Sequence, residues 1–450
     1  MSPPPQLPIV AIVGRPNVGK STLFNRYAGF RRALVEDEPG VTRDSIASEA
    51  ELAGGRRVLI VDTAGLDPDP EEGLSAAVQA QARAAMAQAD GILFVVDGKA
   101  GLGPVEATLA RSLHRSAKPV SLVVNKIDHA SHLPRVAEFA GLGFASVHAV
   151  SAEHGSGAWD ALEELAARLP APPPAPEAGA RQQGGVRIAL VGRPNVGKSS
   201  LVNRLLGAER VVVSELPGTT RDSVDQELRV EDRVYTLVDT AGLRRPGRRT
   251  RTAERGSALM TVRSLERADV ALVVLDAGEG PTDQDARILQ LAQERGCPLL
   301  IVANKWDLVG PGRAHEVDAA IRSALRFAPD APILHVSARS GSGVERLLGE
   351  AERVAGAGRR RIATAELNRW LRDAVRRHEP AMAQRGPRRR PVKFFYATQT
   401  GVRPPTFVLF CTEPAAVQPS YRRFLENRLR ESFDLRGTPV RLQLRARSAE

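Results

Sequence analysis

Gly14-Arg-Pro-Asn17-Val-Gly19-Lys20-Ser21-Thr22 follows an apolar run and opens an amphipathic one. The pattern returns as Gly192-Arg-Pro-Asn195-Val-Gly197-Lys198-Ser199-Ser200. Gly-x4-Gly-Lys-Ser between a strand and a helix is a phosphate-binding loop. Its glycines let backbone N–H groups turn inward around an oxyanion, and the helix N-terminus adds partial positive charge. Lys20 and Lys198 then reach the β- and γ-phosphates of a nucleotide. The hydroxyls of Ser21 and Ser199 ligate magnesium, with Thr22 and Ser200 beside them in the phosphate set.

Further motifs follow in the same order in both copies. Asp62 and Asp239 end apolar runs and lead into Thr-Ala-Gly65 and Thr-Ala-Gly242. A carboxylate there holds the magnesium shell, and the glycine N–H meets the γ-phosphate at the start of a mobile loop. Thr42 and Thr220 stand where a threonine closes over magnesium when a γ-phosphate is present. Lys20, Thr42, Gly65, Lys198, Thr220 and Gly242 are therefore the expected catalytic positions. Magnesium is expected on Ser21, Thr42 and Asp62 in one copy and on Ser199, Thr220 and Asp239 in the other.

The base is read by Asn125-Lys126-Ile-Asp128 with Ser151-Ala152, and by Asn304-Lys305-Trp-Asp307 with Ser337-Ala338. An aspartate accepts two hydrogen bonds from guanine N1–H and its 2-amino group. Adenine offers neither donor and would leave a buried carboxylate unpaired. The asparagine bonds the base edge, the lysine stem covers the ring, and the alanine N–H meets guanine O6. These residues separate a GTPase from the larger ATPase class. Any one motif alone is weak; two ordered sets are not chance.

The elements that must position these residues are themselves repeated. The matching motifs are offset by 178, 178, 177, 179 and 186 residues, so the chain holds two copies of one domain. Leu7–Val13, Val58–Val61, Ile92–Val96 and Val120–Val124 read as buried strands. Val186–Val191, Tyr235–Val238, Ala271–Leu275 and Leu299–Val302 are their counterparts. Leu74–Ala89 and Asp283–Arg295 read as helices between strands. Near-continuous apolar strands suit a parallel sheet covered on both faces, an α/β doubly wound fold. A Pro- and Gly-rich stretch, 171–185, reads as a linker. The expected divisions are a first GTPase domain over 1–170, the linker, a second over 186–357, and a basic domain over 358–450. In the last, Thr364–His378, Val392–Thr398, Thr406–Cys411, Tyr421–Ser432 and Val440–Arg445 give an α-β-β-α-β order, an α+β domain.

The 450 residues carry a net charge of +11, and it is not evenly spread. Residues 359–450 hold 21 Lys and Arg against 8 Asp and Glu; the rest of the chain holds 42 against 44. A basic face confined to one domain points to a polyanionic partner or to a solvated arginine-rich surface. No run reaches the ~20 apolar residues of a membrane span. The start of the sequence lacks a secretory pattern, and two separated cysteines match no metal spacing. A cytoplasmic location with both thiols reduced is the expectation.

With these residues in view, the chain resembles the EngA/Der family of bacterial GTPases, double members of the Era-like group. Two tandem GTPase domains followed by a KH-like domain make up that family. Pro404-Pro-Thr-Phe-Val-Leu-Phe410, Ser420-Tyr-Arg-Arg-Phe-Leu-Glu-Asn427 and Gly437-Thr-Pro-Val-Arg441 resemble its third domain. The resemblance implies a factor in maturation of the large (50S) ribosomal subunit, its GTP state controlling rRNA binding; a monomer with no DNA partner and no membrane span is the expectation. Two departures stand out. The third domain lacks the Gly-x-x-Gly that clamps nucleotides in KH domains. Asp62-Thr-Ala-Gly65 differs by one residue from the family's Asp-Thr-Gly-Gly, and Gly103-Pro-Val-Glu106 faces Gly280-Pro-Thr-Asp-Gln-Asp285 in the second copy.

Leu66 and Leu243 occupy the place of the glutamine that orients water in Ras-type enzymes. Leucine cannot do so. Related GTPases with this substitution use potassium held by the phosphate-loop asparagine, which implies Asn17 and Asn195 as potassium ligands and a slow, potassium-stimulated turnover. Two alternatives stay open: a GTP-dependent switch acting on a protein partner, and a GTP-dependent RNA-modifying enzyme. Outside the GTPase motifs no nucleophile or metal cluster supports the latter.

Overall fold

The computed structural model describes residues 7–34, 47–53, 55–62, 83, 85–169, 185–207, 211–217, 224–239, 258–325, 328–379, 382–385 and 388–446. Thr42, Gly65, Leu66, Thr220, Gly242 and Leu243 lie outside them, as does nearly all of the 171–185 linker.

The first sheet is built from β1 (Ile9–Val13), β2 (Ala47–Glu51), β3 (Arg57–Asp62), β4 (Gly91–Asp97), β5 (Val120–Asn125) and β6 (Val147–Ala149), in spatial order β2-β3-β1-β4-β5-β6. All neighbours are parallel except β2 with β3. Strands β1, β4 and β5 are buried at every residue, as uninterrupted runs of Ile, Val, Leu and Phe require when helices cover both faces. Helices α1 (Lys20–Leu34), α2 (Pro104–His114) and α3 (Ala158–Ala167) do the covering. Leu23, Phe24 and Tyr27 of α1 meet Leu162 and Leu165 of α3 in one core with Ile12 and Leu93. Burying each such side chain contributes about 1.5–3 kcal/mol. The Tyr27 hydroxyl, inside that core, donates to Ala158 O at 2.7 Å, so its burial leaves no orphan polar group.

Among the described residues, the second copy repeats this plan with one more strand. β7 (Val186–Val191), α4 (Lys198–Leu206), β8 (Val211–Pro217), β9 (Val224–Val230), β10 (Arg233–Val238), α5 (Ala258–Arg267), β11 (Val270–Asp276), α6 (Asp283–Glu294), β12 (Leu299–Asn304), α7 (Ala314–Ala324), β13 (Ile333–His335) and α8 (Leu347–Gly358) follow in chain order. The sheet order is β13-β12-β11-β7-β10-β9-β8. Strands β8 and β9 pair antiparallel, and so do β9 and β10; the other pairs are parallel. Helix α6 begins at Thr282, whose side chain accepts from Asp285 N–H while the Asp285 carboxylate accepts from Thr282 N–H, a reciprocal capping box.

The third region contains α9 (Thr364–Arg377), β14 (Met382–Arg385), β15 (Arg388–Pro391), β16 (Phe394–Val402), β17 (Pro405–Cys411), α10 (Pro419–Ser432) and β18 (Arg441–Ala446). The expected α-β-β-α-β order is present as α9-β16-β17-α10-β18. The antiparallel pair β14–β15 was not expected from its Arg- and Pro-containing sequence. In the three-stranded sheet β16 pairs antiparallel with β17, and β17 parallel with β18. Leu367, Trp370 and Leu371 of α9 and Leu425 and Leu429 of α10 close one face of it over Ala397, Phe407, Leu409 and Leu442.

This region packs on the second GTPase sheet at the N-terminal ends of its strands, away from the nucleotide loops. Leu299 N–H, opening β12, donates to Gly437 O at 2.7 Å. Gly437 has φ +70°, and a Cβ there would stand 2.6 Å from Leu299 O, so the approach requires glycine. Asp269, 5% exposed, receives the guanidinium groups of Arg359 and Arg403 and the Arg187 N–H. Cys297 and Cys411 are both buried free thiols, and burial pushes Cys297 up to about 12.

Candidate functional site

The loops at the C-terminal ends of β1 and β7 carry the phosphate motifs, where open parallel sheets place their ligands. A Cβ on Gly14 would stand 2.2 Å from Val95 O, and one on Gly192 2.5 Å from Val274 O. Gly19 and Gly197 have φ +96° and +95°, and a Cβ on either would meet the asparagine amide at 2.2 Å. Asn17 and Asn195, both exposed, sit at φ 65° and 66°. The loop thus turns back on itself in both copies, and its glycine positions leave no room for a Cβ. That cradle fits a polyphosphate.

Lys20 Nζ donates to Gly14 O and Arg15 O, each at 2.8 Å. Lys198 Nζ does the same to Gly192 O at 2.8 Å and Arg193 O at 2.7 Å. Burial lowers the Lys20 pKa, and the charge of Asp62 opposes the shift. The lysine therefore spans the loop over the place a phosphate would take.

The two copies part at the carboxylate ending the next strand. Ser21 Oγ donates to Asp62 Oδ2 at 2.7 Å, which joins the two expected magnesium ligands. In the second copy Asp239 has φ 59°, its N–H donates to Asp225 Oδ1 at 3.1 Å, and its carboxylate accepts from Ser264 Oγ at 3.5 Å. Burial raises the Asp239 pKa, with Asp225 adding to the shift and Arg267 and Ser264 opposing it. The origin is local sequence. Asp225 occupies the place of Ala47 in the repeat, and it also binds Arg187 at 3.4 Å and Arg267 at 2.5 Å. Its carboxylate organises a network that the first copy lacks.

The base-reading residues come together in both copies. The side chain of Asn125, 2% exposed, donates from Nδ2 to Val18 O at 2.8 Å and accepts from Ala152 N–H at 2.9 Å. Asn304, 1% exposed, donates to Val196 O at 2.8 Å and accepts from Ala338 N–H at 3.0 Å. One buried amide therefore locks the phosphate loop to the loop that presents the alanine N–H. Asp128 accepts from Ser151 Oγ at 2.7 Å, and Asp307 from Ser337 Oγ at 2.6 Å. Lys126 and Lys305, at φ 68° and 60°, lie beside them.

Several site residues escaped the motif reading. Lys126 Nζ binds Asp97 Oδ2 at 2.7 Å and Asn17 O at 2.8 Å. Lys305 Nζ binds Asp276 Oδ2 at 2.5 Å. Burial alone would raise Asp97 and Asp276. Hydrogen bonds from the lysine and from two backbone amides outweigh it and hold both below the ordinary carboxylate value. The signal was in the sequence, since Asp97 and Asp276 repeat at an offset of 179 residues. Lys99 Nζ bonds Asp128 Oδ2 at 2.6 Å and, with Ser151, lowers the Asp128 pKa; its counterpart in the second copy is Gly278. Arg15 and Arg193, inside the phosphate motifs, anchor the loops. Arg15 Nε meets buried Glu106 at 2.6 Å; Arg193 meets Glu279 at 2.6 Å and buried Asp285 at 3.3 Å. Glu106 and Asp285, at the same offset of 179 residues, thus do equivalent work in the two copies.

Comparison with known proteins agrees with this geometry. A family model described as "50S ribosome-binding GTPase" matches residues 9–126 and again 187–305, and one described as "KH-domain-like of EngA bacterial GTPase enzymes, C-terminal" matches 361–445. GTPase Der of Syntrophotalea carbinolica is 48% identical over 443 residues, 98% of this chain and 99% of the relative. The chain belongs to the Der family of GTPases. GTPase Der of Moorella thermoacetica is 47% identical over 441 residues, 97% and 98% of the two chains. A Der GTPase binds GTP, and magnesium is the metal expected with it; Ser21 and Asp62 are donors suited to a hard divalent cation. A solved structure of Era in complex with MgGDPNP and nucleotides 1506–1542 of 16S ribosomal RNA aligns over 59% of this chain and 93% of Era, at 24% identity and a TM-score of 0.30. Among the described residues, no helix is long and apolar enough to cross a membrane.

Proposed function

We propose that this chain is an assembly factor for the large ribosomal subunit whose two GTPase sites gate its binding to rRNA. The observation that carries the reading is the duplicated base-reading lock, in which Asn125 and Asn304 each tie a phosphate loop to a guanine-specific loop. The family model's description and the basic residues of 359–450 support a ribosomal partner. The domains are taken as 1–170, 186–357 and 358–450, with 171–185 linking the first two. The protein acts as a cytoplasmic monomer, without DNA or a membrane span.

In each site the phosphate loop, with Lys20 or Lys198, binds and orients the nucleotide. Asp128 and Asp307 select guanine, and the asparagines hold the two loops in register. Ser21, Thr42 and Asp62, and Ser199, Thr220 and Asp239, are the magnesium ligands, and Gly65 and Gly242 sense the γ-phosphate. When bound, magnesium neutralises charge on the phosphates. The exposed Asn17 and Asn195, on left-handed turns beside the phosphate cradle, are the residues to hold potassium, which would supply positive charge where Leu66 and Leu243 cannot orient water. Turnover is slow and falls when sodium replaces potassium.

The test is co-sedimentation with large ribosomal subunits, comparing GDP with a non-hydrolysable GTP analogue at fixed potassium and salt. Binding confined to the analogue is the expected result. Equal sedimentation in both states, or none in either, overturns the gating reading, and the second outcome turns attention to a protein partner.

A further inference from the structure

The sheet of the third region has two faces, and among the described residues the region's own two helices, α9 and α10, close one of them. Strand register assigns the residues. Ala397, Leu409 and Phe407 point to the helical side, where they are buried. On the opposite side the pairing aligns Tyr396 with Phe410 and Phe410 with Arg445, so the three form one row across β16, β17 and β18. Tyr396 and Phe410 are stacked, with ring centroids 4.3 Å apart and planes 17° from parallel. Tyr396 is 43% exposed, and Arg445 is exposed. The next positions on this face are Thr398, Val408 and Gln443, then Thr406 and Arg441. The face thus carries two arginines and no carboxylate.

Its two ends differ. At the Arg441 end it lies against the second GTPase domain: Arg441 donates to Glu294 O at 3.3 Å, Gly296 abuts Pro404, and Val408 is 3% exposed. At the Tyr396 end Tyr396 and Arg445 are exposed among the described residues. Exposed Lys393 and Phe395, the latter 41% exposed, flank that end on β16 and just before it.

We propose that the row Tyr396–Phe410–Arg445 is a stacking platform for single-stranded RNA. The inference rests on the ribosomal reading above for the choice of RNA, and adds the surface that meets it. A base has a flat π-face and continues an aromatic stack without regard to sequence. Tyr396 lies on the edge strand of the described sheet and is 43% exposed, which lets a base approach its ring from the side away from Phe410. Arg445, at the other end of the row, meets a backbone phosphate or covers a second base with its guanidinium plane. Sheets that bind single strands combine these same elements, two or three stacking rings and a cation along adjacent strands. The lack of a Gly-x-x-Gly clamp in this region is then no obstacle, because contact is made on the sheet face rather than between helices. The two arginines suit a polyanion and would attract an acidic protein surface as well; base stacking is what distinguishes the two.

The experiment uses the full chain and a fluorescein-labelled ten-nucleotide uridine strand, with a duplex of equal length as control. Anisotropy is followed at moderate salt. The expected result is binding of the single strand in preference to the duplex. Tyr396→Leu with Phe410→Leu, which keeps apolar volume on the sheet, is expected to weaken it at least about tenfold. Tyr396→Trp is expected to retain it. Arg445→Gln is expected to weaken binding and reduce the salt slope by about one. GTP turnover and the unfolding midpoint of each variant report on folding. A 5-iodouridine version of the strand, irradiated with the unaltered protein, is expected to cross-link to Tyr396 or Phe410, a readout that needs no variant. Unchanged affinity in the double Leu variant, or cross-links confined to other residues, overturns the platform. Sedimentation with ribosomal subunits separates the two readings. Cross-links at Tyr396 without subunit binding overturn the ribosomal reading alone, and subunit binding with no cross-link in the row overturns the platform alone.

Discussion

Asn125→Ala should unfold the first GTPase domain more easily and spare the second. The Asn125 side chain satisfies two buried backbone groups, Val18 O at 2.8 Å and Ala152 N–H at 2.9 Å. Alanine removes both partners and adds none. A buried polar group left unpaired costs about 1–3 kcal/mol, so two cost about 2–6. Asn125 is 2% exposed, but the space left by its amide lies beside the phosphate cradle and can admit water, which favours the lower half, about 2–4 kcal/mol. For a domain of this size each kcal/mol moves the midpoint by about 2–4 °C, so a fall of about 5–15 °C is expected. The assay is thermal unfolding of the full chain without nucleotide, followed by tryptophan fluorescence: Trp159 reports on the first copy, and Trp306 and Trp370 on the second copy and the region packed on it. Asn304→Ala has the same geometry, 2.8 Å and 3.0 Å, and should move the other transition by a similar amount. Loss of guanine nucleotide binding at the altered site should accompany each change. If Asn125→Ala lost nucleotide but left the first transition in place, the lock between the loops would carry no stability and the argument would fail.

Three other expectations follow from differences between the copies. Lys99→Met should raise GDP affinity at the first site by about two- to fivefold, because Lys99 holds the Asp128 carboxylate that guanine needs; an exposed pair of this kind is weak, and Gly278 leaves the second site without it. Titration with a fluorescent GDP analogue checks this. Glu106→Gln strips the charge that anchors Arg15, and should cost the first domain about 1–3 kcal/mol, below the full value for a buried pair because Arg15 is 31% exposed. Urea unfolding measures it, and the second domain should not respond. Asp97→Asn tests a pH effect. The native Asp97 pKa is lowered from 3.8, so its contribution is complete above that unfolded value and is lost as pH falls through the lower native one. The stability gap between parent and variant, followed by denaturant unfolding, should be constant near neutrality and close as pH falls below about 4.

What the sequence made legible was what repeats and what is apolar. Val186–Val191 was read to the residue, because five of its six residues are apolar and buried and Arg187 alone interrupts the run. Strands β2, β8 and β9 were not read. β2 is Ala-Ser-Glu-Ala-Glu, and β9 contains Asp225 and Gln226, polar residues buried by hydrogen bonding that no apolar pattern announces. The Ala130–Leu142 segment, a 3₁₀ stretch with Pro134 inside, has neither helical nor strand periodicity. Within the sites, the phosphate and base motifs were legible because each uses a fixed local spacing. Asp97, Glu106 and Lys99 were missed because they act across space on motif residues: Asp97 on Lys126, Glu106 on Arg15, and Lys99 on Asp128. The asymmetry at Asp239 was hidden for the same reason, since it follows from an aspartate on a neighbouring strand where the first copy has alanine.

The most direct test of the account is nucleotide stoichiometry. Equilibrium dialysis of the full chain with radiolabelled GDP and magnesium should find two sites per chain, one site in Asp128→Ala and one in Asp307→Ala, with no displacement by excess ADP. A single site in the parent, or displacement by ADP, would contradict two independent guanine-reading domains.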